Sequence, residues 1–360
     1  MKKLCILFLI IVSNLCYSQD ITIDDNLYKG ILDDLFINHQ PSAKGESMGR
    51  GLVANSDGHF GSYYNPALTS LNKGFNADYS YSQSESGKPS INYFGVSYGN
   101  DKIGNFGVSA YIFSKAREDN LGFKAQLKGS YYDAVYTVNY SREIVKDFYA
   151  GINLGIFHYY NYYHWSTANG YQGNFFIADG VTLDLGVLKK FEIESEDNKQ
   201  IFEAGASISN FTNSKVGDTY LTPLPVTLRL GASHQLKIEK GERQAVPYPL
   251  GFFTHIQFDK VINSDYFGTF RFGEEMSLWD ILFVRGGYFY SKIHDGFERD
   301  ESVITFGLGL NIPINKLLLT KNTMELKVDY MKNDLNEYSR YTYNDYGKYA
   351  ILSVSLNYIP

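Results

Sequence analysis

Cysteine is nearly absent from this chain of 360 residues, which contains only Cys5 and Cys16. Both lie near the N-terminus, where Lys2 and Lys3 precede a run of nine apolar residues and a short polar end. This order predicts a secretory signal peptide over residues 1–18, and the apolar run is too short to span a bilayer. Because its removal leaves no thiol, we expect an exported chain with no disulfide bond and no cysteine metal ligand.

Concentrated positive charge is also missing. Without its two N-terminal lysines the chain has 31 basic and 39 acidic residues, a formal net charge of −8, and no basic cluster. Binding to nucleic acid requires clustered positive charge that neutralises phosphates, so we expect no nucleic-acid partner. No stretch after the signal peptide approaches the ~20 apolar residues that a membrane helix needs, which excludes a helical membrane protein.

Signatures of enzyme chemistry are scarce. The sequence contains no His-Glu-x-x-His pair and no phosphate-binding glycine loop. We therefore expect a protein that is not an enzyme and uses no cofactor. His158 and His164 stand six residues apart without a third ligand close by, so their spacing predicts no metal site.

Aromatic residues and glycine are abundant, with 31 Tyr, 25 Phe and 33 Gly. Mean hydropathy is nevertheless slightly negative, at −0.25. Residues 226–233 and 324–330 alternate apolar with polar side chains, which is the period-two pattern of a strand with one apolar and one polar face. Composition and pattern together leave two classes of protein, a large soluble all-β protein and a transmembrane β-barrel.

Strand length and number favour the barrel. Runs of about ten residues suit tilted strands that cross a membrane, whereas soluble strands are about half as long. We therefore predict an all-β fold, a 14-stranded antiparallel transmembrane β-barrel over residues 73–360, preceded by an N-terminal hatch or plug segment over residues 19–72. The predicted strands are 73–83, 90–99, 103–115, 130–142, 147–160, 177–190, 201–212, 224–237, 249–260, 266–277, 281–293, 302–313, 322–334 and 345–358.

The spacing of these strands also predicts the orientation of the barrel. In outer-membrane barrels the periplasmic turns are short and the outer loops are longer. The predicted outer connections include 116–129, 161–176, 213–223 and 335–344, and the predicted inner ones include 100–102, 143–146 and 278–280, with 238–248 as a long exception.

Charged residues in the middle of strands should face the lumen, because a lysine or arginine at the lipid-facing midplane costs roughly 2 to 4 kcal/mol. Nine such residues fall on the polar side of their strands: Asp184, Glu203, Arg229, Arg271, Glu275, Arg285, Glu325, Lys327 and Asp329. Four of them, Arg229, Arg271, Glu275 and Arg285, have two interpretations. They form a paired network that rigidifies the wall, or they bind the anionic head group of an amphipathic ligand.

Two further groups of residues are candidate sites. Asn65, Pro66 and Ala67 form a predicted turn, because proline fixes φ and the preceding asparagine favours extended backbone and can cap the turn. This turn either fixes how the plug passes into the first strand or contacts a ligand. The densest aromatic cluster is either an interfacial aromatic girdle or an outer docking patch for cargo or ligand. Its members are Tyr159, Tyr160, Tyr162, Tyr163 and Trp165.

The stretch KGESMGRGLVANSDGHFGSYYNPALTSL, residues 44–71, carries a family resemblance. It resembles the opening of the FadL-like outer-membrane barrels, in particular their PorV and PorQ branch from Bacteroidetes, in which a Met-Gly element precedes an aromatic-Asn-Pro-Ala turn. Similar matches follow at YDAVYTVNYSREIVKDFYAGINLG from Tyr132, at GVTLDLGVLKK from Gly180 and at LPVTLRLGASHQL from Leu224.

This resemblance implies a 14-stranded barrel with an N-terminal hatch, placed in the bacterial outer membrane in contact with its lipid. For function it implies an accessory or cargo-docking component of type IX protein secretion, with secretion-system proteins or secreted cargo as partners. The same superfamily includes channels for hydrophobic, fatty-acid-like small molecules, which is the alternative hypothesis. A structural barrel that partners another outer-membrane complex is the third.

Overall fold

The computed structural model describes most of the chain after residue 39. The described ranges are 40–84, 90–120, 126–167, 170–195, 198–216, 222–238, 249–263, 268–294, 298–318, 322–333 and 349–360. The predicted signal peptide and residues 19–39 of the predicted hatch segment lie outside these ranges.

Fourteen long strands close into one antiparallel barrel, which confirms the predicted fold class. The first and last strands pair directly, with Phe75 opposite Tyr358. The barrel strands are β1 (Gly74–Ser84), β2 (Ser90–Asn100), β3 (Gly104–Asn120), β4 (Gln126–Val145), β5 (Phe148–Thr167), β6 (Gly170–Glu194), β7 (Asn198–Ser209), β10 (Thr227–Ile238), β11 (Leu250–Val261), β12 (Gly268–Leu278), β13 (Leu282–His294), β14 (Glu298–Pro313), β15 (Thr323–Asn333) and β16 (Tyr349–Ile359). Two short strands, β8 (Lys215–Val216) and β9 (Thr222–Pro223), pair with each other between β7 and β10 in the chain.

Side-chain alternation gives the wall two different faces. Outward side chains are largely apolar and open, as at Val138 and Phe306, which are 59% and 66% exposed. Inward side chains in the same strands are largely polar and buried. This distribution matches an outer-membrane barrel, whose apolar outer band meets lipid. Among the described residues, no helix is both long and apolar enough to cross a membrane.

Short turns mark one end of the barrel, at residues 101–103, 146–147 and 279–281. We call this the inner end and the opposite one the outer end. A short helix, α3 (Ile314–Leu318), also lies at the inner end, between β14 and β15. The positions of the short turns agree with the predicted inner connections.

Strands β3 to β6 extend further toward the outer end than the sequence predicts. They contain 17, 20, 20 and 25 residues. Their pairing continues into the predicted outer connections, with Asp119 opposite Leu127 and Thr167 opposite Gly170. Residues 116–129 and 161–176 are therefore strand over most of their length, and the prediction of loops there is wrong. Cross-strand pairs of aromatic and β-branched residues stabilise such extensions.

Residues 40–72 run inside the lumen and are almost entirely buried. We call them the plug. They form helix α1 (Ala43–Ser47), helix α2 (Gly61–Tyr64) and a 3₁₀ helix (Pro66–Leu71) that ends just before β1. Ser42 caps α1, because its Oγ accepts a hydrogen bond from Gly45 N (2.9 Å) and donates one to Asp57 (2.6 Å).

Candidate functional site

Glycines in the wall make room for the plug. At ten inward-facing wall glycines an added Cβ atom would lie within 2.6 Å of a plug atom, closer than real Cβ atoms come to their neighbours. We call these positions the glycine seats: Gly95, Gly99, Gly107, Gly151, Gly186, Gly205, Gly231, Gly273, Gly287 and Gly307. They lie on nine of the fourteen strands, so the wall holds the plug around most of its circumference.

Plug and wall backbones approach each other closely at Gly49. Its φ of +72° lies in the left-handed region that favours glycine. Its neighbours in the wall are Gly273 and Gly287, which pair across β12 and β13. The Gly49 N–H donates to Thr305 Oγ1 at 3.1 Å. The Met-Gly element of the sequence, Met48 and Gly49, therefore passes through a gap that only glycine leaves open.

The predicted turn at Asn65, Pro66 and Ala67 lies in the lumen, fully buried. Asn65 Oδ1 accepts from Ala67 N (3.0 Å) and so caps the 3₁₀ helix that Pro66 begins. Asn65 Nδ2 donates to the carbonyls of Val53 in the plug (2.9 Å) and Val187 in β6 (3.0 Å). One side chain thus joins the turn, an earlier part of the plug and the wall.

Two of the three predicted wall arginines are paired with carboxylates. Arg285 contacts Glu275 (2.5 Å) and Asp329 (2.7 Å), and Arg271 contacts Asp259 (2.6 Å). All five side chains are buried. Buried charges are stable only when partners of opposite charge bond them, which these contacts provide. The sequence reasoning missed Asp259, although its inward parity on β11 was the available signal.

The plug carries buried charges of its own on the same side of the lumen. Arg50 Nε contacts Glu46 (2.6 Å), and Arg50 Nη2 donates to the hydroxyl of Tyr349 in β16 (2.9 Å). The Arg50 guanidinium lies 4.4 Å from the ring centroid of Phe289. Lys44 donates to Ser56 O (3.3 Å), and burial lowers the pKa of Lys44.

His59 lies where the plug meets β1, β2 and β3. Its ring covers the glycine seats Gly95 and Gly107, and its backbone N–H donates to Asp78. Burial lowers the pKa of His59 to about 4, because the charged imidazolium is poorly solvated there. The ring is therefore neutral at physiological pH.

A pocket opens between the plug and the wall formed by β2 to β7 and β10. Its cavity volume is about 50 Å³. Hydroxyl, amide and tyrosine side chains form most of its lining, among them Tyr63 of the plug, Tyr93, Ser109 and Tyr111 of the wall, and Arg229. This space holds a few water molecules, so a larger molecule fits only where side chains of the plug move aside.

An apolar cluster adjoins this pocket toward the outer end. We call it the outer aromatic cluster. Its members are Phe60, Ile91, Tyr93, Tyr111, Phe113, Phe157, Tyr159 and Leu224, with Tyr63 and Val135 packed against them. Because Tyr93 and Tyr111 belong to both, the cluster and the pocket form one continuous lining.

Arg229 stands apart from the other two wall arginines. Its Nη1 donates to Ser209 Oγ (2.5 Å), and its guanidinium lies 5.5 Å from the ring centroid of Tyr63. Within the described ranges, no ion pair includes Arg229. The four predicted residues therefore separate into an ion-paired set, Arg271, Glu275 and Arg285, and an arginine that faces the pocket.

The predicted outer aromatic patch is wrong for Tyr159. Alternation along β5 turns this side chain into the lumen, where it is 4% exposed and packs in the outer aromatic cluster. Tyr160 is half-buried on the opposite face. The side chains of Tyr162, Tyr163 and Trp165 lie outside what the structure describes. His158 pairs with Asp179 (2.6 Å), and the described residues hold no group of three or more potential metal ligands.

Two serine-hydrolase spacings do occur in the chain. Gly45, Ser47 and Gly49 have the Gly-x-Ser-x-Gly order at the end of helix α1, where Ser47 is buried. Gly95, Ser97 and Gly99 have it inside β2. A nucleophile elbow needs a sharp turn from strand to helix. Ser97 instead lies buried in the wall beneath the plug.

Comparisons with known proteins give likenesses of fold. No family model and no curated protein matches the chain. Among solved structures, it is similar to the monoaromatic hydrocarbon channel CymD, at 8% identity with a TM-score of 0.43, covering 89% of this chain and 97% of that one. It is similar to a Pseudomonas aeruginosa FadL homologue, at 10% identity and a TM-score of 0.46, and to the Pseudomonas putida toluene transporter TodX, at 10% and 0.45. Both matches cover 89% of this chain and 98% of the other.

By description, these neighbours are a monoaromatic hydrocarbon channel, a FadL homologue and a toluene transporter. At identities of 8 to 10%, the function of this chain has to be argued from its own residues.

Proposed function

We propose that this protein is a plugged channel of the bacterial outer membrane that admits small, largely apolar organic molecules. Its outward side chains form an apolar surface of the kind that meets lipid. The plug fills the lumen and is seated on glycines around the wall. In the part of the chain that the structure describes, the route left to a solute therefore runs between plug and wall.

The observation that carries this proposal is the pocket beside the outer aromatic cluster. Aromatic and aliphatic side chains lead from the outer end into the pocket, and Tyr93 and Tyr111 line both. Burial of apolar surface against such a lining favours entry of an apolar solute by about 25 cal/mol per Å². The pocket is then the first binding position of a molecule that enters from outside.

The plug contacts below the pocket are hydrogen bonds between neutral groups. Asn153 Nδ2 donates to Ser62 O (2.9 Å), and Ser207 Oγ donates to Tyr64 O (2.6 Å). Such bonds are worth about 1 kcal/mol each in net stability. Local movement of α2 therefore costs little compared with breaking the ion pairs of β11 to β15, and it supplies the route inward.

A pocket-filling substitution tests the proposal. Ser109→Trp places a large ring in the pocket, whereas Val108→Trp adds the same ring to the lipid-facing side of β3, where Val108 is 48% exposed. Because toluene crosses a plain phospholipid bilayer unaided, uptake is measured in intact cells. We expect uptake of radiolabelled toluene to fall at least about fivefold in cells that carry Ser109→Trp and to stay unchanged with Val108→Trp. Equal uptake by cells with the wild type, with Ser109→Trp and without the barrel would overturn the channel function.

The secretion hypothesis stays a prediction. Membership of the PorV and PorQ branch, and a role in docking type IX cargo, rest on the resemblance of the sequence motifs. Of the residues that would dock cargo, Tyr159 faces the lumen. Normal secretion of type IX substrates after deletion of the gene would exclude that role. For the third hypothesis, a purely structural partner barrel, no described contact gives support.

A further inference from the structure

The pocket contains two polar groups whose bonding capacity is unused. Arg229, 5% exposed, has five N–H donors, and its hydrogen-bond partner among the described residues is the Ser209 hydroxyl. Tyr111, 4% exposed, has a buried hydroxyl that makes no hydrogen bond within the described ranges. Native proteins pair nearly all buried polar groups. Two such groups on one pocket therefore point to a polar ligand atom.

The donors of Arg229 that no described group uses favour an anion at this position. Asp184 is the carboxylate of the lining, and both of its oxygens are already used. They accept hydrogen bonds from Asn210 N (2.8 Å) and from Asn153 Nδ2 (3.0 Å). Asp184 is therefore held by the wall, whereas Arg229 lines the pocket with donors that no described acceptor uses. A guanidinium binds a carboxylate through two parallel N–H···O bonds.

Aromatic rings surround the same two groups. Tyr63 and Tyr111 meet edge to face, with ring centroids 5.5 Å apart, and Tyr93 lies 6.1 Å from Tyr111. Rings at this spacing accept a further ring in offset or edge contact. The guanidinium over Tyr63 places the positive charge at the border of this aromatic surface.

We infer that the pocket binds a small aromatic carboxylate, with its ring against Tyr63 and Tyr111 and its carboxylate on Arg229 and the Tyr111 hydroxyl. This inference rests on the proposed channel function and specifies the class of molecule that the pocket selects. It distinguishes an aromatic acid from a plain hydrocarbon, which leaves the donors of a buried arginine unsatisfied.

Binding by the full-length protein in nanodiscs tests the inference, with benzoate, toluene and benzylamine as probes in calorimetry at pH 7. We expect wild type to bind benzoate at least about tenfold more tightly than either other probe. Arg229→Met should weaken benzoate about tenfold or more and leave toluene unchanged. Tyr111→Phe, which removes only the hydroxyl, should weaken benzoate roughly threefold.

A control on the same strand separates the effect of losing Arg229 from the effect of changing the overall charge of the protein. Lys237→Met removes one positive charge from the inner end of β10, where Lys237 pairs with Asp280 (3.2 Å), and should leave benzoate binding unchanged. Arg229→Lys keeps the charge and loses the paired geometry, so its affinity should fall between wild type and Arg229→Met. A heat-dependent gel shift verifies that each variant forms the folded barrel.

The failures are distinguishable. If benzoate binds no more tightly than toluene, or if Arg229→Met leaves benzoate affinity unchanged, the inference is overturned. Transport of toluene with no benzoate binding would reject the aromatic acid and retain the channel. Absence of toluene uptake together with absence of binding by any of the three probes would reject both.

Discussion

On β11 to β15 the plug meets a wall of ion pairs, whereas on β2 to β7 and β10 it meets hydroxyl and amide groups and an open pocket. In the first region Arg285 joins two carboxylates from different strands, and Arg271 donates to the Gly49 carbonyl (3.4 Å). In the second, Arg229 has a serine as its partner. Inward-facing arginines are thus bound in ion pairs in the first region, whereas the arginine of the second region keeps donors that a ligand could use.

This difference shows how one lumen both holds a plug and leaves room for a ligand. A buried ion pair is expensive to break, since removing one partner leaves an uncompensated charge. Neutral hydrogen bonds cost about 1 kcal/mol each and re-form easily. We therefore expect the plug to stay fixed at Met48 and Gly49 while residues around α2 move.

The largest expected effect comes from filling a glycine seat in the fixed region. In Gly287→Leu the new side chain would overlap the backbone of Gly49, which cannot rotate away as a side chain can. We expect the plug to leave its position, a change beyond the 1 to 3 kcal/mol typical of overpacking. Planar-bilayer conductance should rise, and trypsin should gain access to Lys44 and Arg50.

The adjacent residue provides the matched control for this change. Gly286 faces outward, and a Cβ there would lie 3.9 Å from the nearest atoms, on Phe306. Gly286→Leu adds the same side chain to the lipid-facing surface and should leave conductance and trypsin resistance unchanged. Equal behaviour of the two variants would show that the glycine seats do not hold the plug.

Breaking the ion-paired group is expected to have the next largest effect. Arg285→Met leaves Glu275 and Asp329 buried without their partner, which should lower the free energy of unfolding by about 3 to 5 kcal/mol. Reversible urea unfolding into lipid vesicles measures this loss. A triple variant, Arg285→Met with Glu275→Gln and Asp329→Asn, should recover most of it, and failure to recover would assign the loss to packing instead.

Periodicity was enough to predict the barrel. Polar and apolar residues alternate regularly through strands such as 324–330, and lipid on one side and a lumen on the other make that alternation obligatory. The extended β3 to β6 were not predicted, because tyrosine-rich stretches suit both an exposed loop and a paired strand. Pairing with a neighbouring strand decides between them, and single-sequence patterns do not show it.

The candidate site was harder to predict for a related reason. Parity places Arg229, Arg271 and Arg285 in the lumen, yet their partners depend on which strands become neighbours and on register. The glycine seats were also missed, although glycines recur within strands at inward positions, as at Gly205 and Gly231. A glycine inside a regular strand signals close approach of another backbone.

The buried turn gives a third, intermediate test. Asn65→Ala removes three hydrogen bonds, to Ala67 N and to the carbonyls of Val53 and Val187, and should destabilise plug docking by about 2 to 3 kcal/mol. Hydrogen exchange of residues 61–72 reports this loss. Exchange as slow in Asn65→Ala as in the wild type would mean that this side chain does not hold the turn.

The smallest effects compare one hydroxyl in each region. Thr305 Oγ1 in the fixed region accepts from Gly49 N and donates to Ser47 O (2.9 Å), whereas Ser207 Oγ near the pocket makes a single bond to Tyr64 O. Thr305→Val should lower the free energy of opening measured by hydrogen exchange at residues 45–51 by roughly 1 to 2 kcal/mol. Ser207→Ala should lower it at residues 61–66 by about 1 kcal/mol. Wild type should already exchange faster at 61–66 than at 45–51, because the plug moves beside the pocket. Equal wild-type protection of the two segments would mean that the plug moves as one rigid unit, and a ligand would then need to displace the whole plug, ion pairs included.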